Sequence, residues 1–251
     1  MPRMPENTPD LQSTRVLVTG GTNGLGKAMA IALSSAGARV ALTGRDASRA
    51  RAVASEIGAV GVELDVRDER SVQTAVDSVY EELGGVDVLV CNAGIGMRTV
   101  NPRFMTHPQP FWEVSPDGFR DVIETKITGS FLVARAVVPR MLDAGGGRIV
   151  IISMSEQTMT RGGFVPYGPA GAGVEALARV MAADLAETRV TVNILLPGGA
   201  TATGMVPEDV PADVRERLLD PSIMGPPIVW LSSEHASGVR DQRIVATDFD
   251  H

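Results

Sequence analysis

The chain is poor in the residues that build metal centres and covalent cross-links. Its single cysteine, Cys91, lies inside an apolar run. That excludes a disulfide framework and a thiolate metal cluster, and the residue reads as a small buried hydrophobe. The three histidines, His107, His235 and His251, share no ligand spacing, so no metal site is assigned. No apolar run reaches the length of roughly eighteen residues that a membrane span requires. Basic residues are outnumbered, 23 Lys and Arg against 30 Asp and Glu, for a net charge of −7. This balance argues against a nucleic-acid or anionic-membrane surface. The first twelve residues carry Pro2, Pro5 and Pro9 among mixed charges and lack the apolar stretch of a secretory signal. Residues 1–12 are therefore expected to form a disordered tail and 13–251 a single domain, in a soluble, cytoplasmic protein.

What the chain has is glycine at regular stations. Residues Arg15 to Val18 form a short apolar strand that runs into a turn with glycines at 20, 21, 24 and 26. Gly20 permits the tight turn, and Gly24 lets the backbone approach a pyrophosphate. Gly26 lets the following helix, Leu25 to about Ser35, pack closely on the sheet with its positive end toward the phosphates. The same spacing also occurs in an ordinary strand–turn–helix connection, so its meaning depends on the rest of the chain.

Apolar, β-branched runs recur at Arg39–Thr43, Val60–Leu64, Val86–Cys91, Arg148–Ile152, Val190–Leu195 and Arg243–Ala246. They are continuous rather than alternating, as parallel strands covered on both faces require. Helical patterns fall between them at Ala47–Ile57, Glu69–Leu83, Phe119–Met141 and Val174–Glu187. Ser115-Pro116-Asp117 is a helix start, with a capping Ser, Pro in the first turn and an acid at the positive end. The alternation predicts a Rossmann-type, doubly wound α/β fold: a parallel sheet of about seven strands with helices on both faces. Two irregular stretches, Gly94–Pro116 and Gly198–Pro227, follow strand carboxyl ends and are expected to shape a substrate pocket.

Further motifs fall in order along these elements. Thr19 to Gly26, including Thr22, Asn23 and Leu25, forms the glycine turn. Asp65-Val66 ends the third strand, Asn92-Ala93-Gly94 follows the fourth, and Asn193 to Thr201 (NILLPGGAT) spans Pro197-Gly198. Together they resemble the short-chain dehydrogenase/reductase family across nearly the whole chain. The resemblance implies that Asp65 and Val66 hold an adenine, that Asn92, Ala93 and Gly94 belong to the cofactor site, and that Pro197, Gly198 and Thr201 lie toward a nicotinamide. It also implies assembly as a homodimer or homotetramer through the helices carrying residues 126 and 167. At the end of the second strand, Gly44 stands where NAD-preferring members carry an acid. Arg45 follows, where a guanidinium pairs with a ribose 2′-phosphate. Asn23 lies where NADP-preferring members often carry a base. NADP(H) is therefore favoured over NAD(H), although Asp46 partly offsets Arg45.

The chemistry implied by the family resembles a relay of Asn, Ser, Tyr and Lys. Tyr167 fits the Tyr position, but the Lys position is Gly171 and the Asn position is Lys126. The Ser position falls on Met154, flanked by Ser153 and Ser155; Ser155 is preferred and Ser153 is nearly as defensible. One hypothesis is that Lys126 supplies the ammonium missing at 171. A cation about 4 Å from a phenol at an effective dielectric near 20 is worth about 4 kcal/mol, or about three pKa units. The alternative is a surface or interface lysine in a relay that no longer works. Gly171 and Gly173 weaken a helix, so close packing or a bound ligand must account for them. Met97, Met105, Met159 and Met205 suggest an adaptable apolar lining, or plain gap-filling.

Three functions remain open on this reading. The first is an NADP(H)-dependent oxidoreductase that interconverts a carbonyl and an alcohol of a small organic substrate with an altered relay. The second is a cofactor-binding homologue without turnover, serving as a sensor or partner subunit. The third is a lyase, cyclase or isomerase on the same scaffold.

Overall fold

In the computed structural model, which describes residues 9–250, strands and helices alternate. The order begins β1 (Arg15–Val18), α1 (Gly24–Ser35), β2 (Arg39–Gly44), α2 (Ala47–Glu56), β3 (Val60–Glu63), α3 (Glu69–Leu83) and β4 (Val88–Cys91). It continues through α4 (Pro116–Ile123), α5 (Gly129–Asp143), β5 (Gly147–Ile152), α6 (Glu156–Met159), α7 (Tyr167–Asp184) and β6 (Val190–Leu196). It closes with α8 (Ala212–Arg215), α9 (Gly225–Ser232) and β7 (Arg243–Val245). All seven strands pair in parallel in the order β3-β2-β1-β4-β5-β6-β7. The expected Rossmann-type sheet is thus the one observed.

Strand alternation divides the apolar residues between two layers. Leu17, Leu89, Ile149, Ile151, Val192 and Ile194 face α3, α5 and α7. Val16, Val18, Val88, Val90, Val150, Ile152 and Leu195 face α1, α2 and α9. Both sheet faces are covered, which is why the strands read as unbroken apolar runs. The chain winds outward in opposite directions from β1 and β4, so a crevice opens at their carboxyl ends, where this fold class binds ligands. Asp46, Asp68 and Ser115 cap α2, α3 and α4 by accepting from backbone N–H groups in the first turn.

Two expectations are corrected and one is extended. The single helix expected over Phe119–Met141 is divided into α4 and α5 by a π turn over Glu124–Thr128. At that turn Gly129 presses on Val66, where a Cβ would stand 2.5 Å from Cγ2. Helix α7 carries Tyr167 at its head, as the family position implies, and so extends the Val174–Glu187 pattern by seven residues toward its start. Its glycines answer to packing rather than propensity: a Cβ at 173 would stand 2.5 Å from Ile127 Cδ1, and one at 168 would collide with the Met159 carbonyl. Pro169 lies in the first turn, where no i−4 bond is needed. Of the expected tail, residues 1–8 lie outside the described residues, whereas Leu11 is 1% exposed, donates its N–H to the Ala36 carbonyl and packs among α1, α2 and α9.

The Asn193 side chain, 3% exposed, joins β6 to the segment before β7. Its Nδ2 donates to the Val239 carbonyl (2.8 Å) and its Oδ1 accepts from the Gln242 N–H (3.0 Å). Asn193→Ala strands both backbone groups and is expected to lower stability by about 1–3 kcal/mol. Urea denaturation would read this as a lower midpoint at unchanged m value.

Candidate active site

The crevice starts at the glycine turn. Gly20 and Gly24 adopt φ of +65° and +51°, the left-handed region that L side chains rarely occupy. A Cβ at Gly26 would collide with the Gly20 carbonyl, so only glycine lets α1 start this close to the strand. Asn23 precedes α1 in extended conformation and its side chain makes no capping bond, which leaves the first N–H donors of a twelve-residue helix without a side-chain partner. The open, positively polarised helix end fits a pyrophosphate. Thr203 lies over it, its methyl positioned 3.3 Å from where a Gly24 Cβ would be. Leu25 turns inward onto the α1 side of the core. A cavity of about 670 Å³ continues from Gly24 along Lys27 and Ile31 to Thr203, Arg215 and Ser222.

Asn92 was expected at the ligand, but its side chain is committed to backbone. Its Nδ2 donates to the carbonyls of Thr19 and Gly20, both at 3.0 Å. Thr19 Oγ1 donates to the Val90 carbonyl (3.2 Å) and accepts from the N–H groups of Asn92 (3.0 Å) and Ala93 (3.1 Å). Asn92 therefore fixes the Asn92-Ala93-Gly94 turn against the glycine turn, and ligand contact there falls to backbone.

Beyond the carboxyl end of β3, the Asp65 carboxylate accepts from Arg67 Nη2 (2.9 Å), Nε (3.1 Å) and N (3.0 Å). These bonds hold the Asp65 carboxyl below the usual carboxylate range against the opposing effect of partial burial. Val66 turns its side chain into α5 at Gly129, so an adenine would meet its backbone. Gly44 has a steric cause, since a Cβ there would stand 2.6 Å from Thr22 Cγ2. Arg45 is exposed, and among the described residues no hydrogen bond or ion pair occupies its guanidinium.

The reactive end departs furthest from expectation. Tyr167 opens α7, half-buried, with its hydroxyl 4.0 Å from the Met205 sulfur. Burial pushes the phenol above its ordinary pKa, and no charge pulls it down. The space beside Gly171 is filled by Met154, whose Cε and Sδ lie 2.8 Å from where a Cβ would be. The relocated-lysine hypothesis is therefore corrected: Lys126 does not stand in for residue 171. Its ammonium donates to the Ile152 carbonyl at 2.6 Å, is 8% exposed, and is lowered by desolvation to about 8.

Ser155 is corrected as well. Its hydroxyl caps α6, accepting from Thr158 N–H at 3.3 Å and sharing a hydrogen bond with Thr158 Oγ1 at 2.9 Å. Ser153 Oγ is buried with no hydrogen-bond partner among the described residues. The Thr201 hydroxyl donates to the Gly199 carbonyl (3.2 Å), so Thr203 rather than Thr201 meets the glycine turn. Buried Pro197 leads into Gly198, which sits in the left-handed region at φ +94° against Val245 and Thr247.

Of the four loop methionines, Met205 brings its sulfur to the Tyr167 hydroxyl and packs on Gly96, where a Cβ would stand 2.9 Å from that sulfur. Met97 and Met105 pack with Phe104 and Phe164 in a satellite cluster against which Tyr167 also packs. The Met159 carbonyl backs onto Gly168. The two irregular stretches are tied across the cleft: Arg98 donates to the Gly204 carbonyl (3.0 Å) and Glu208 (3.1 Å), and Thr106 donates to Asp209 (2.6 Å).

Thr203 was missed by sequence reasoning, whereas Met205 was among the methionines expected to line the pocket. They lie two and four residues past Thr201, in a stretch without periodicity. The available signal was the PGGATAT run, which offers two threonines to one role.

A model of the short chain dehydrogenase family matches residues 14–213. The chain is 33% identical over 247 residues to the 3-oxoacyl-(acyl-carrier-protein) reductase of Aquifex aeolicus, covering 93% of this chain and 96% of that one. It is 34% identical over 186 residues to the D-threitol dehydrogenase of Mycolicibacterium smegmatis, covering 72% and 68%. Among solved structures, 3-ketoacyl-(acyl-carrier-protein) reductase from Brucella melitensis complexed with NADH superimposes with a TM-score of 0.83. That pair is 27% identical and covers 94% of this chain and 97% of that one.

Because Met154 fills the space beside residue 171, Gly171→Lys alone overpacks the site. It is expected to cost about 1–3 kcal/mol in thermal or urea denaturation. Adding Met154→Ser removes the obstacle, recovers most of that loss and sets an ammonium and a hydroxyl near Tyr167. Titration of the phenol absorbance should then show its pKa fall relative to the parent.

Proposed function

We infer the activity from membership: the chain belongs to the short-chain dehydrogenase/reductase family, and it is an NAD(P)-dependent oxidoreductase acting on a carbonyl/alcohol pair. The observation that carries this reading is the glycine cradle at the open end of α1, clamped to β4 by Asn92, with a phenol at the other end of the same crevice.

Residues Gly20, Thr22, Asn23, Gly24, Leu25 and Gly26 would hold the pyrophosphate, Asp65 and Val66 the adenine. Asn92, Ala93, Gly94, Pro197, Gly198 and Thr201 would frame the nicotinamide side. NADP(H) is favoured over NAD(H): an acid at 44 has no room beside Thr22, and Arg45 offers an exposed guanidinium that makes no hydrogen bond or ion pair among the described residues, with Asp65 acting on it only at longer range. When bound, the nicotinamide ring supplies or accepts the hydride.

Tyr167 gives its proton to the carbonyl oxygen as an alkoxide forms. Its raised pKa keeps the phenol protonated at neutral pH, the form that reduction uses. Alcohol oxidation needs the phenolate, which is scarce until the pH passes the ordinary tyrosine range. Met154 at the Ser position and the capping role of Ser155 weaken carbonyl polarisation, leaving Tyr167 with only the unpartnered Ser153 hydroxyl as a second candidate. Weak polarisation of this kind costs about 10²–10⁴ in rate. A second reading, a homologue that binds cofactor without turnover, is favoured by that same Met154–Gly171 packing. Exposed Phe119, Phe131, Leu142 and Val180 on α4, α5 and α7 support self-association through those helices.

NADPH fluorescence titration should show binding, and NADPH should be consumed with a panel of ketones. Binding without consumption would favour the second reading. Tyr167→Phe is expected to lower kcat/KM by about 10²–10⁴ while NADPH still binds. Reduction should be flat across neutral pH, and oxidation should climb steadily into the alkaline range. Arg45→Ala should erode the preference for NADPH over NADH by about tenfold or more, the worth of a charge-assisted hydrogen bond.

A further inference from the structure

Lys126 is left over from this chemistry. It is more than nine-tenths buried, yet among the described residues no carboxylate faces it. An ammonium has three donors, and among the described residues the Ile152 carbonyl takes one. The remaining two have no acceptor among those residues. A buried cation is ordinarily paired, because desolvation is otherwise uncompensated. The residue after Ile152 repeats the pattern, since Ser153 Oγ is buried and also unpartnered. Two unsatisfied polar groups therefore stand at the carboxyl end of β5, beside the crevice.

The lysine is delivered there by specific geometry. It rises from the π turn between α4 and α5, and its amine lies beneath Gly94 in the turn that ends β4. A Cβ at 94 would stand 3.6 Å from Lys126 Cδ and 3.9 Å from Nζ, so a longer side chain at that position would cover the amine. The elements packed around it bring the Cys91 thiol from β4 and the Ile152 carbonyl from β5, neither of them a countercharge.

The anionic groups of a dinucleotide are spoken for at the other half of the crevice, at the glycine turn and Arg45. The partner that the Lys126 ammonium lacks must come with the second ligand. We propose that Lys126 binds a carboxylate of the substrate, so that the carbonyl compounds reduced at this site are oxo acids. This rests on the oxidoreductase reading above. Met154 and Met205, both flexible thioethers, provide an adaptable lining for the rest of such a molecule. Lys126 then acts as a substrate-binding residue whose charge selects the substrate and leaves the phenol unperturbed.

The test compares kcat/KM for pyruvate, acetoacetate and levulinate with kcat/KM for their methyl esters, using NADPH. The wild-type protein should prefer at least one acid over its ester. Lys126→Met should lower that acid-to-ester ratio by about tenfold or more, and Lys126→Arg should retain part of it. The ratio is independent of how much variant folds. It should also fall as pH rises through about 8, where the free ammonium loses its proton. Cys91, the other titratable group facing the lysine, is pushed up to about 12 by burial and stays neutral throughout.

An unchanged ratio in Lys126→Met overturns the proposal. So does weaker NADPH binding in calorimetry with no change in ratio, which would give the ammonium to the cofactor. If no substrate turns over at all, the oxidoreductase reading fails separately. Calorimetry of the same acids and esters on NADPH-loaded protein then decides the carboxylate site. Acid binding that is lost in Lys126→Met upholds it, and equal wild-type affinity for acid and ester overturns it.

Discussion

The crevice depends on the hydrogen bonds that tie the carboxyl end of β1 to that of β4. Thr19 Oγ1 bridges the Val90 carbonyl and two successive N–H groups, while the Asn92 amide holds the carbonyls of Thr19 and Gly20. β1 and β4 are neighbours in the sheet, and the chain leaves them in opposite directions, so these bonds extend the strand pairing into the two turns that bound the crevice. The glycines exploit the fixed spacing. Gly20 approaches Ala93, where a Cβ would stand 2.9 Å from its Cα, and Gly26 fits under the Gly20 carbonyl. Buried hydrogen bonds of this kind contribute about 1 kcal/mol each, and leaving their partners unmade costs more.

The two ends of the crevice have opposite electrostatic character. The first is built of backbone donors and an exposed guanidinium, a setting for phosphate. The second is apolar around its phenol, with thioethers at Met154 and Met205 and a single buried ammonium set to one side. Desolvation moves the two titratable groups there in opposite directions, Tyr167 up and Lys126 down. Both shifts favour the uncharged forms. Proton transfer at this end is therefore governed by burial, without the neighbouring charge that would lower a phenol.

The sheet was legible because its strands are covered on both faces and so carry unbroken apolar runs, and the glycine turn because its spacing has steric meaning. Helix ends were less legible where propensity and packing disagree. Gly168, Gly171 and Gly173 argue against a helix start at Tyr167, but each accepts a neighbour that a Cβ would displace. The π turn at Glu124–Thr128 leaves no periodic trace in the sequence. At the reactive end, family spacing located residues 126, 154, 167 and 171, but spacing cannot tell which side chain fills a vacancy. Met154 lies against Gly171, whereas Lys126 has a carbonyl within reach on β5. Ser155 illustrates another ambiguity, since a hydroxyl before Glu156 serves as well for a helix cap as for a substrate.

The contact between Gly44 and Thr22 bears on how such a site changes over generations. An acidic side chain at 44, the simplest route to gripping a ribose hydroxyl, would begin its reach 2.6 Å from the Thr22 methyl. Shrinking Thr22 first would loosen the turn with no new ligand bond in return. A side chain at 44 is thus conditional on the one at 22, and the two positions are expected to change together.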